Sequence, residues 1–202
     1  MKKVLLLLAN GFEILEASAF IDVMGWNLKE GDQSTVLHTC ALRKEIKSAF
    51  DQKFVVDHLV EEIDVHAYDA LAIPGGFKDY DYYKDAYEPS FLNLIQRFND
   101  QNKWIASVCV GALPLAKSGV LHDRNGTTYS SYRNELESYS VNILDQPIVV
   151  DQHIITSCGP STATEVAFML LEKLTHKENT NVVRKLMGFK KKLRSTSDPH
   201  QF

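Results

Sequence analysis

Short apolar runs alternate with longer stretches of helical spacing along most of the chain. Residues 4–9 form a continuous apolar run, typical of a strand that is covered on both faces of a parallel sheet. Similar patterns predict strands at 35–42, 70–73, 104–108, 148–150 and 153–156, and helices over 15–29, 91–98, 112–117, 164–174 and 181–187. This alternation predicts an α/β fold, a doubly wound sandwich with a mostly parallel central sheet and helices on both faces. In such folds, binding sites form at the carboxyl ends of the strands.

The segments between these elements are less regular. Residues 44–57 have the pattern of a polar hairpin, and 127–129 have that of a short strand. The end of the chain, 189–202, is basic, contains three consecutive lysines and has no apolar face, which predicts a flexible, solvated tail. We therefore expect a single domain over residues 1–188.

Composition and charge narrow the class of protein. The 202 residues are 45% hydrophobic and 24% charged, ordinary globular values that exclude a disordered or fibrous chain. A formal net charge of -4 gives no reason to expect nucleic-acid binding, because the chain is not basic enough overall to neutralise phosphates. The first apolar run ends at Asn10, too early for a signal peptide, and no run approaches the roughly 18 residues of a membrane span. Three scattered cysteines fit a reducing compartment, so a cytoplasmic protein without a disulfide scaffold is predicted.

Cys109 is the most informative position. It follows the predicted strand at 104–108 and comes shortly before the predicted helix at 112–117. Free N–H groups and the positive end of the helix dipole at such a turn favour a thiolate, and Gly111 allows the chain to turn tightly. The pattern indicates a reactive cysteine, while a small buried thiol fits the same position.

Two other strand ends bring polar groups to the same edge. Gly75 and Gly76 follow the strand at 70–73, and their N–H groups suit an oxyanion or carbonyl, or simply form a strand-ending turn. Glu13 and Glu16 follow the first strand, where one of them can act as acid, base or hydrogen-bond donor, or only favour the helix dipole. No pair of histidines has metal-ligand spacing, so no metal site is predicted.

Four segments, taken in order, resemble the ThiJ/PfpI family of the class I glutamine amidotransferase-like superfamily, in its deglycase-like branch. They read VLLLLANGFEILEASAFIDVM, DALAIPGG, IASVCVGALPLAKSGVL and VVDQHIITSCGPSTATEVAFMLLEKL. The resemblance covers the chain to about Leu174. It implies a flavodoxin-like fold, a homodimer, and chemistry that uses no metal or organic cofactor.

The resemblance also implies roles for particular residues. Cys109 matches the family's nucleophilic, oxidation-sensitive cysteine, and Glu16 matches the glutamate that is held protonated beside it. A carboxyl group that donates to a thiolate lowers the pKa of the cysteine, while the nearby anion raises the pKa of the carboxyl group. Gly75 and Gly76 match the backbone that faces the cysteine.

The sequence departs from the family pattern at several positions. Tyr129 stands where many members have a histidine, and Val110 stands where the peptidase-like branch has one. The Tyr129 phenol, with a pKa of about 10, donates hydrogen bonds but is a poor general base, and the valine side chain cannot act as a base at all. We therefore expect Tyr129 and Val110 to contribute to substrate or oxyanion binding instead. Cys158 replaces an arginine, which removes a fixed cation. The loop 77–83 is unusually aromatic and acidic, and forms either a wall or lid of the site or an exposed variable loop.

Two classes of function follow. In the first, a cofactor-free enzyme acts on small reactive carbonyls: Cys109 adds to an α-oxoaldehyde and Glu16 shuttles a proton. In the second, Cys109 is the oxidisable group of an oxidative-stress sensor or protective protein, either as a sulfinate or in a disulfide with Cys158. A small-amide hydrolase or peptidase is less favoured, since no histidine is present at 110 or 129. The expected partners are a small-molecule carbonyl and a second copy of the chain, with neither nucleic acid nor membrane.

Overall fold

Strands and helices alternate in the computed structural model, which describes residues 1–189. The strands are β1 (Lys2–Leu7), β2 (Thr35–Ala41), β3 (Glu45–Lys47), β4 (Lys53–Val55), β5 (His58–Leu59), β6 (Ala70–Ile73), β7 (Trp104–Ser107), β8 (Asn125–Gly126), β9 (Asn142–Ile143), β10 (Ile148–Asp151) and β11 (Ile154–Ser157). The helices are α1 (Ile14–Glu30), α2 (Tyr82–Ala86), α3 (Pro89–Asp100), α4 (Ala112–Lys117), α5 (Arg133–Glu137), α6 (Ala163–Leu174) and α7 (Lys177–Leu186).

Seven strands form the central sheet, in the order β10-β11-β7-β6-β1-β2-β5. Neighbouring strands are parallel except for β10 and β11, which pair as an antiparallel hairpin at one edge. The polar hairpin predicted at 44–57 is confirmed as β3 and β4, which lie outside this sheet. The mostly parallel sheet with helices on both faces confirms the predicted flavodoxin-like, doubly wound sandwich.

The apolar run in β1 supplies both layers of the core. Leu5 and Leu7 are buried in the hydrophobic cluster on one face of the sheet, while Val4 and Leu6 are buried in the cluster on the other. Successive side chains of a strand point to opposite faces, so a central strand needs apolar residues at every position. Burial of each such side chain contributes roughly 1.5–3 kcal/mol to stability.

The helices divide between the two faces. α1 and α6 pack together on one face and enclose Phe20 and Phe168, and α7 packs against both helices. α3 and α4 cover the other face, where Phe91 and Leu113 are buried. None of the helices in residues 1–189 is both long enough and apolar enough to cross a membrane.

The structure differs from the sequence-based prediction in a few segments. The strand predicted at 127–129 is wrong: β8 ends at Gly126, and Thr127 is held instead by a hydrogen bond from its N–H to the Thr156 side chain (3.0 Å). The last helix begins at Lys177 because the side chain of His176 caps it. α2 and α5 have no counterpart in the prediction, since five residues are too few to show a helical period.

Phe189 is the last residue that the structure describes. Its ring packs edge-on against Phe168, with ring centroids 5.4 Å apart. The rest of the predicted tail, 190–202, lies outside the described residues.

Candidate active site

A cavity of about 510 Å³ opens at the carboxyl edge of the sheet. The strands β7, β6 and β1 are parallel neighbours, so the segments that follow them meet at this edge. The cavity contains most of the residues singled out in the sequence and several others. Its lining residues are Glu13, Glu16, Gly76, Phe77, Lys78, Asp79, Cys109, Val110, Tyr129, Tyr132 and Pro160.

Cys109 lies on a strained turn between β7 and α4. Its φ of 55° falls in the left-handed region, which residues other than glycine rarely adopt and which costs roughly 1–2 kcal/mol. The hydroxyl of Thr128 donates to the Cys109 carbonyl oxygen at 2.8 Å, and the Gly111 N–H donates to Val108 at 2.9 Å. These bonds hold the strained turn, which presents the thiol to the cavity.

Gly75 allows the strand ends to approach closely. A Cβ on this residue would lie 2.9 Å from the Val110 nitrogen and 3.0 Å from both Cys109 Cβ and Glu16 Oε2. Any larger side chain would therefore separate the thiol from the carboxyl group. The Gly75 N–H donates to Glu16 Oε2 at 2.6 Å, so this donor serves the glutamate and is not free for a substrate oxyanion, unlike the expectation from the sequence.

Glu16 is a buried carboxyl group in the first turn of α1. Burial raises its pKa from an ordinary 4.5 to about 8; the Gly75 N–H opposes this rise in pKa, and the nearby Glu13 carboxylate adds to it. Glu16 Oε1 is buried and makes no hydrogen bond within residues 1–189. At neutral pH a pKa of about 8 keeps the Glu16 carboxyl group mostly protonated.

The pKa of the Cys109 thiol is shifted upward, opposite both to the direction expected from its helix terminus and to the lowering expected from the neighbouring Glu16. Burial raises its pKa, the charge of an ionised Glu16 raises the pKa further, and the Val110 N–H, which donates toward the sulfur, lowers it. Burial raises the pKa of the thiol by more than the helix terminus lowers it, because the thiol is half-buried next to a second acidic group. The two groups therefore titrate as a pair: the first proton leaves with a pKa of about 8, and the second leaves only at much higher pH.

The aromatic segment after Gly76 forms one wall of the cavity. Phe77, Lys78 and Asp79 line it, whereas Tyr82 is fully buried and donates a 2.8 Å hydrogen bond to the Pro74 carbonyl oxygen. Of the two alternatives for this loop, the structure supports a wall.

Tyr129 lines the cavity from another segment, and its side chain is half-exposed. No histidine is among the lining residues within the part of the chain that the structure describes.

Thr128, Tyr132 and Pro160 also belong to the site, but sequence patterns gave no signal for them because they act through backbone contacts or spatial proximity. Within residues 1–189, no cluster of three or more potential metal ligands is found.

The other cysteines lie away from this chemistry. All three thiols are free, so Cys109 and Cys158 form no disulfide in the structure. Cys40 is fully buried in β2, where burial raises its pKa well above that of a free thiol. Cys158 does not line the cavity.

Comparison with known proteins identifies relatives of this chain. It is 27% identical over 187 residues to protein DJ-1 homolog A of Arabidopsis thaliana, covering 92% of this chain but 46% of that protein. It therefore spans less than half of that relative. Over 123 residues it is 34% identical to the glutathione-independent glyoxalase DJ-1 of Schizosaccharomyces pombe, covering 60% of this chain and 62% of the relative.

Solved structures show the same fold. Drosophila melanogaster DJ-1beta superposes with a TM-score of 0.83 at 25% identity, covering 94% of this chain and 99% of that one. Schizosaccharomyces pombe DJ-1 gives a TM-score of 0.79 at 27% identity, with 93% and 100% coverage. The sequence model of the DJ-1/PfpI family matches residues 2–173. The chain therefore belongs to the DJ-1/PfpI family.

Proposed function

We propose that this protein converts small α-oxoaldehydes, such as methylglyoxal, into hydroxy acids through Cys109, without glutathione. The observation that carries the proposal is the pairing of the Cys109 thiol with the buried carboxyl group of Glu16 at the wall of an open cavity. The relative from Schizosaccharomyces pombe that is named a glutathione-independent glyoxalase supports the same reaction class.

The proposed reaction begins with the pair that has lost one proton. At pH 7 a pKa of about 8 leaves roughly a tenth of the pairs in this state. In this state Glu16 is a carboxylate and Cys109 still carries its proton, because the pKa of the thiol is raised further than that of the carboxyl group. As the Cys109 sulfur forms a bond to the aldehyde carbon, Glu16 takes the thiol proton and passes it to the carbonyl oxygen. The product is a hemithioacetal next to an ionised Glu16, which is then able to act as a base.

An internal transfer of hydrogen completes the chemistry. Glu16 removes the hydrogen of the former aldehyde carbon as a proton and returns it to the adjacent ketone carbon, while the hydroxyl proton passes to the second oxygen. The first carbon is oxidised to a thioester as the second is reduced to an alcohol. Water cleaves the thioester, which restores Cys109 and releases the hydroxy acid with one proton. The overall reaction consumes only the aldehyde and water.

Backbone and side-chain donors at the cavity wall are suited to the oxygens of this substrate. The N–H of Val110 is directed toward the sulfur, and Gly76 lies on the same wall. We assign these two N–H groups to the developing oxyanion, and the Tyr129 hydroxyl to a hydrogen bond with the second oxygen. Gly75 supports Glu16 and takes no part in binding the substrate.

The test is the formation of lactate from methylglyoxal without glutathione, comparing the wild type with Cys109→Ser. We expect production by the wild type and a loss of at least a hundredfold in the variant, since an alcohol adds more weakly than a thiol. Cys158→Ser is the matched control and should retain the wild-type rate. Equal rates in wild type and Cys109→Ser, or no lactate from either, would exclude the proposal.

A second candidate is oxidative sensing or protection without turnover. It is favoured by the position of Cys109, which is the thiol that lines the cavity while Cys40 is fully buried. One peroxide molecule would oxidise the thiol to a sulfenic acid and a second would oxidise that to a sulfinate, each step releasing one water, and Val110 and Glu16 can hold the sulfinate by hydrogen bonds. Mass spectrometry after mild peroxide treatment distinguishes it, because it requires selective oxidation of Cys109. Hydrolase or peptidase activity has less support, since no histidine lines the cavity in the described part of the chain.

The proposal includes the compartment in which the protein acts and its oligomeric state. We place the protein in the cytoplasm, where its free thiols remain reduced. We also expect it to act as a homodimer. Light scattering coupled to gel filtration would contradict this if the chain eluted as a monomer at micromolar concentration.

A further inference from the structure

Methylglyoxal would fill only a small part of the cavity. Cavities of about 300–1,000 Å³ enclose most of the surface of much larger ligands, and this one measures about 510 Å³. The space next to Cys109 therefore accommodates a substituent broader than a methyl group.

Aromatic side chains stand on both sides of the Cys109 turn. In the sheet, β7 lies between β6 and β11. Phe77 follows β6 on one side, and Tyr129 lies on the other side, in a segment that is bound to β11 through Thr127 and Thr156. The cavity thus has one aromatic wall on each side of the reacting sulfur.

These rings are supported by neighbours and yet remain uncovered. The centroid of the Phe77 ring lies 5.6 Å from that of Phe50 and 6.4 Å from that of Tyr80. Phe77 nevertheless remains 44% exposed. Tyr129 is 45% exposed, and its ring lies beside Gly159, 3.6 Å from the position that a Cβ on this glycine would occupy. Because the rings are held in place before a ligand arrives, a flat group that enters between them buries apolar surface at little cost in conformational entropy.

The charges around the cavity disfavour an anionic substituent. Among residues 1–189, Glu13 and Asp79 line the cavity with Lys78 as the one cationic lining residue, and Glu16 is mostly protonated at neutral pH. A neutral substituent meets no such repulsion.

We propose that the cavity selects α-oxoaldehydes with a neutral, flat aromatic substituent, which Phe77 and Tyr129 hold on either side. This inference rests on the proposed function, because it names the substrate class of the same site. An aromatic contact with each ring should improve selection by about two- to tenfold beyond the area buried.

The test compares kcat/KM for phenylglyoxal, which would yield mandelate, with kcat/KM for methylglyoxal. We expect the aryl-to-methyl ratio to fall about fivefold in each of Phe77→Leu and Tyr129→Leu. Phe189→Leu is the control, since Phe189 has nearly the same exposure, 43%, but lies outside the cavity. Unchanged ratios in both cavity variants would overturn the inference, while turnover of methylglyoxal would leave the proposed function intact.

A binding measurement decides the inference without turnover. The rate of Cys109 alkylation by iodoacetamide is measured with 2-hydroxyacetophenone or hydroxyacetone, two neutral ketones that differ in the aromatic ring. Protection at about tenfold lower concentration by the aryl ketone, lost in Phe77→Leu, supports selection even if neither aldehyde is converted. Equal protection by the two ketones contradicts it.

Discussion

The N–H of Gly75 donates a 2.6 Å hydrogen bond to Oε2 of Glu16. Gly75 belongs to the turn after β6, and Glu16 belongs to the helix that follows β1, so the bond joins the ends of two neighbouring parallel strands. It also orients the carboxyl group beside Cys109. This contact depends on the absence of a side chain at Gly75, and the first prediction tests it.

Gly75→Ala should disrupt the pair of acids. The added methyl group would contact the Val110 nitrogen, Cys109 Cβ and Glu16 Oε2 at about 3 Å, and the backbone must shift to relieve this crowding. We expect a loss of stability of about 1–3 kcal/mol in urea unfolding and a large drop in the alkylation rate of Cys109. Gly25→Ala is the control: nothing lies within 4 Å of its Cβ in α1, so it should stabilise the protein by up to about 1 kcal/mol. Wild-type stability and reactivity in Gly75→Ala would contradict the prediction.

Glu16→Gln should change how stability depends on pH. The pKa of Glu16 in the folded protein, about 8, lies above its ordinary value of 4.5, so the folded state binds more protons between these values. The contribution of Glu16 is therefore fully present below pH 4.5 and is lost as the pH rises toward 8. At pH 7 the loss is on the order of 3 kcal/mol.

The glutamine variant lacks this titration but can keep an acceptor for the Gly75 N–H. Urea unfolding should show that Glu16→Gln gains stability relative to the wild type by roughly 3 kcal/mol between pH 4.5 and pH 7. Contributions from other titrating groups cancel in this comparison. A difference that does not change with pH would show that Glu16 titrates near its ordinary pKa.

The alkylation of Cys109 should follow the first proton lost by the pair. In the wild type the rate with iodoacetamide should rise through an inflection near pH 8, since Glu16 ionises with a pKa of about 8 and its carboxylate can then take the proton of the Cys109 thiol. In Glu16→Gln the inflection should move to higher pH, because burial raises the pKa of the thiol and no acidic partner remains. The same inflection in both proteins would assign the proton to another group.

Thr128→Val should weaken the support of the strained turn. The substitution keeps the shape of the side chain but removes the hydroxyl that donates to the Cys109 carbonyl oxygen at 2.8 Å. Loss of such a bond costs about 1 kcal/mol, which for a chain of this size lowers the Tm by about 2–4 °C. Thr128→Ser should restore most of the loss. Thr127→Val provides the control because the buried Thr127 hydroxyl has no hydrogen-bond partner within residues 1–189. Equal effects at both positions would argue against a specific role for Thr128.

Hydrophobic patterning determined much of the architecture. The apolar runs in β1, β6 and β7 define strands buried on both faces, and the position of Cys109 between strand and helix is a local feature. The resemblance to a known family then assigned Glu16, which local patterns alone left as one of two candidates. These features were accessible because strand periodicity and turn position depend on residues that are close in the chain.

Tertiary structure decided how the site works. Burial depends on packing by distant elements, and it raises the pKa of both Glu16 and Cys109, overriding the helix terminus that predicted a thiolate. The Gly75 N–H and the Thr128 hydroxyl were likewise committed to partners 59 and 19 residues away in sequence. The sequence by itself determined which groups reach this edge of the sheet. Only the folded packing determined their protonation and their hydrogen-bond partners, because desolvation and close contact arise between segments far apart in the chain.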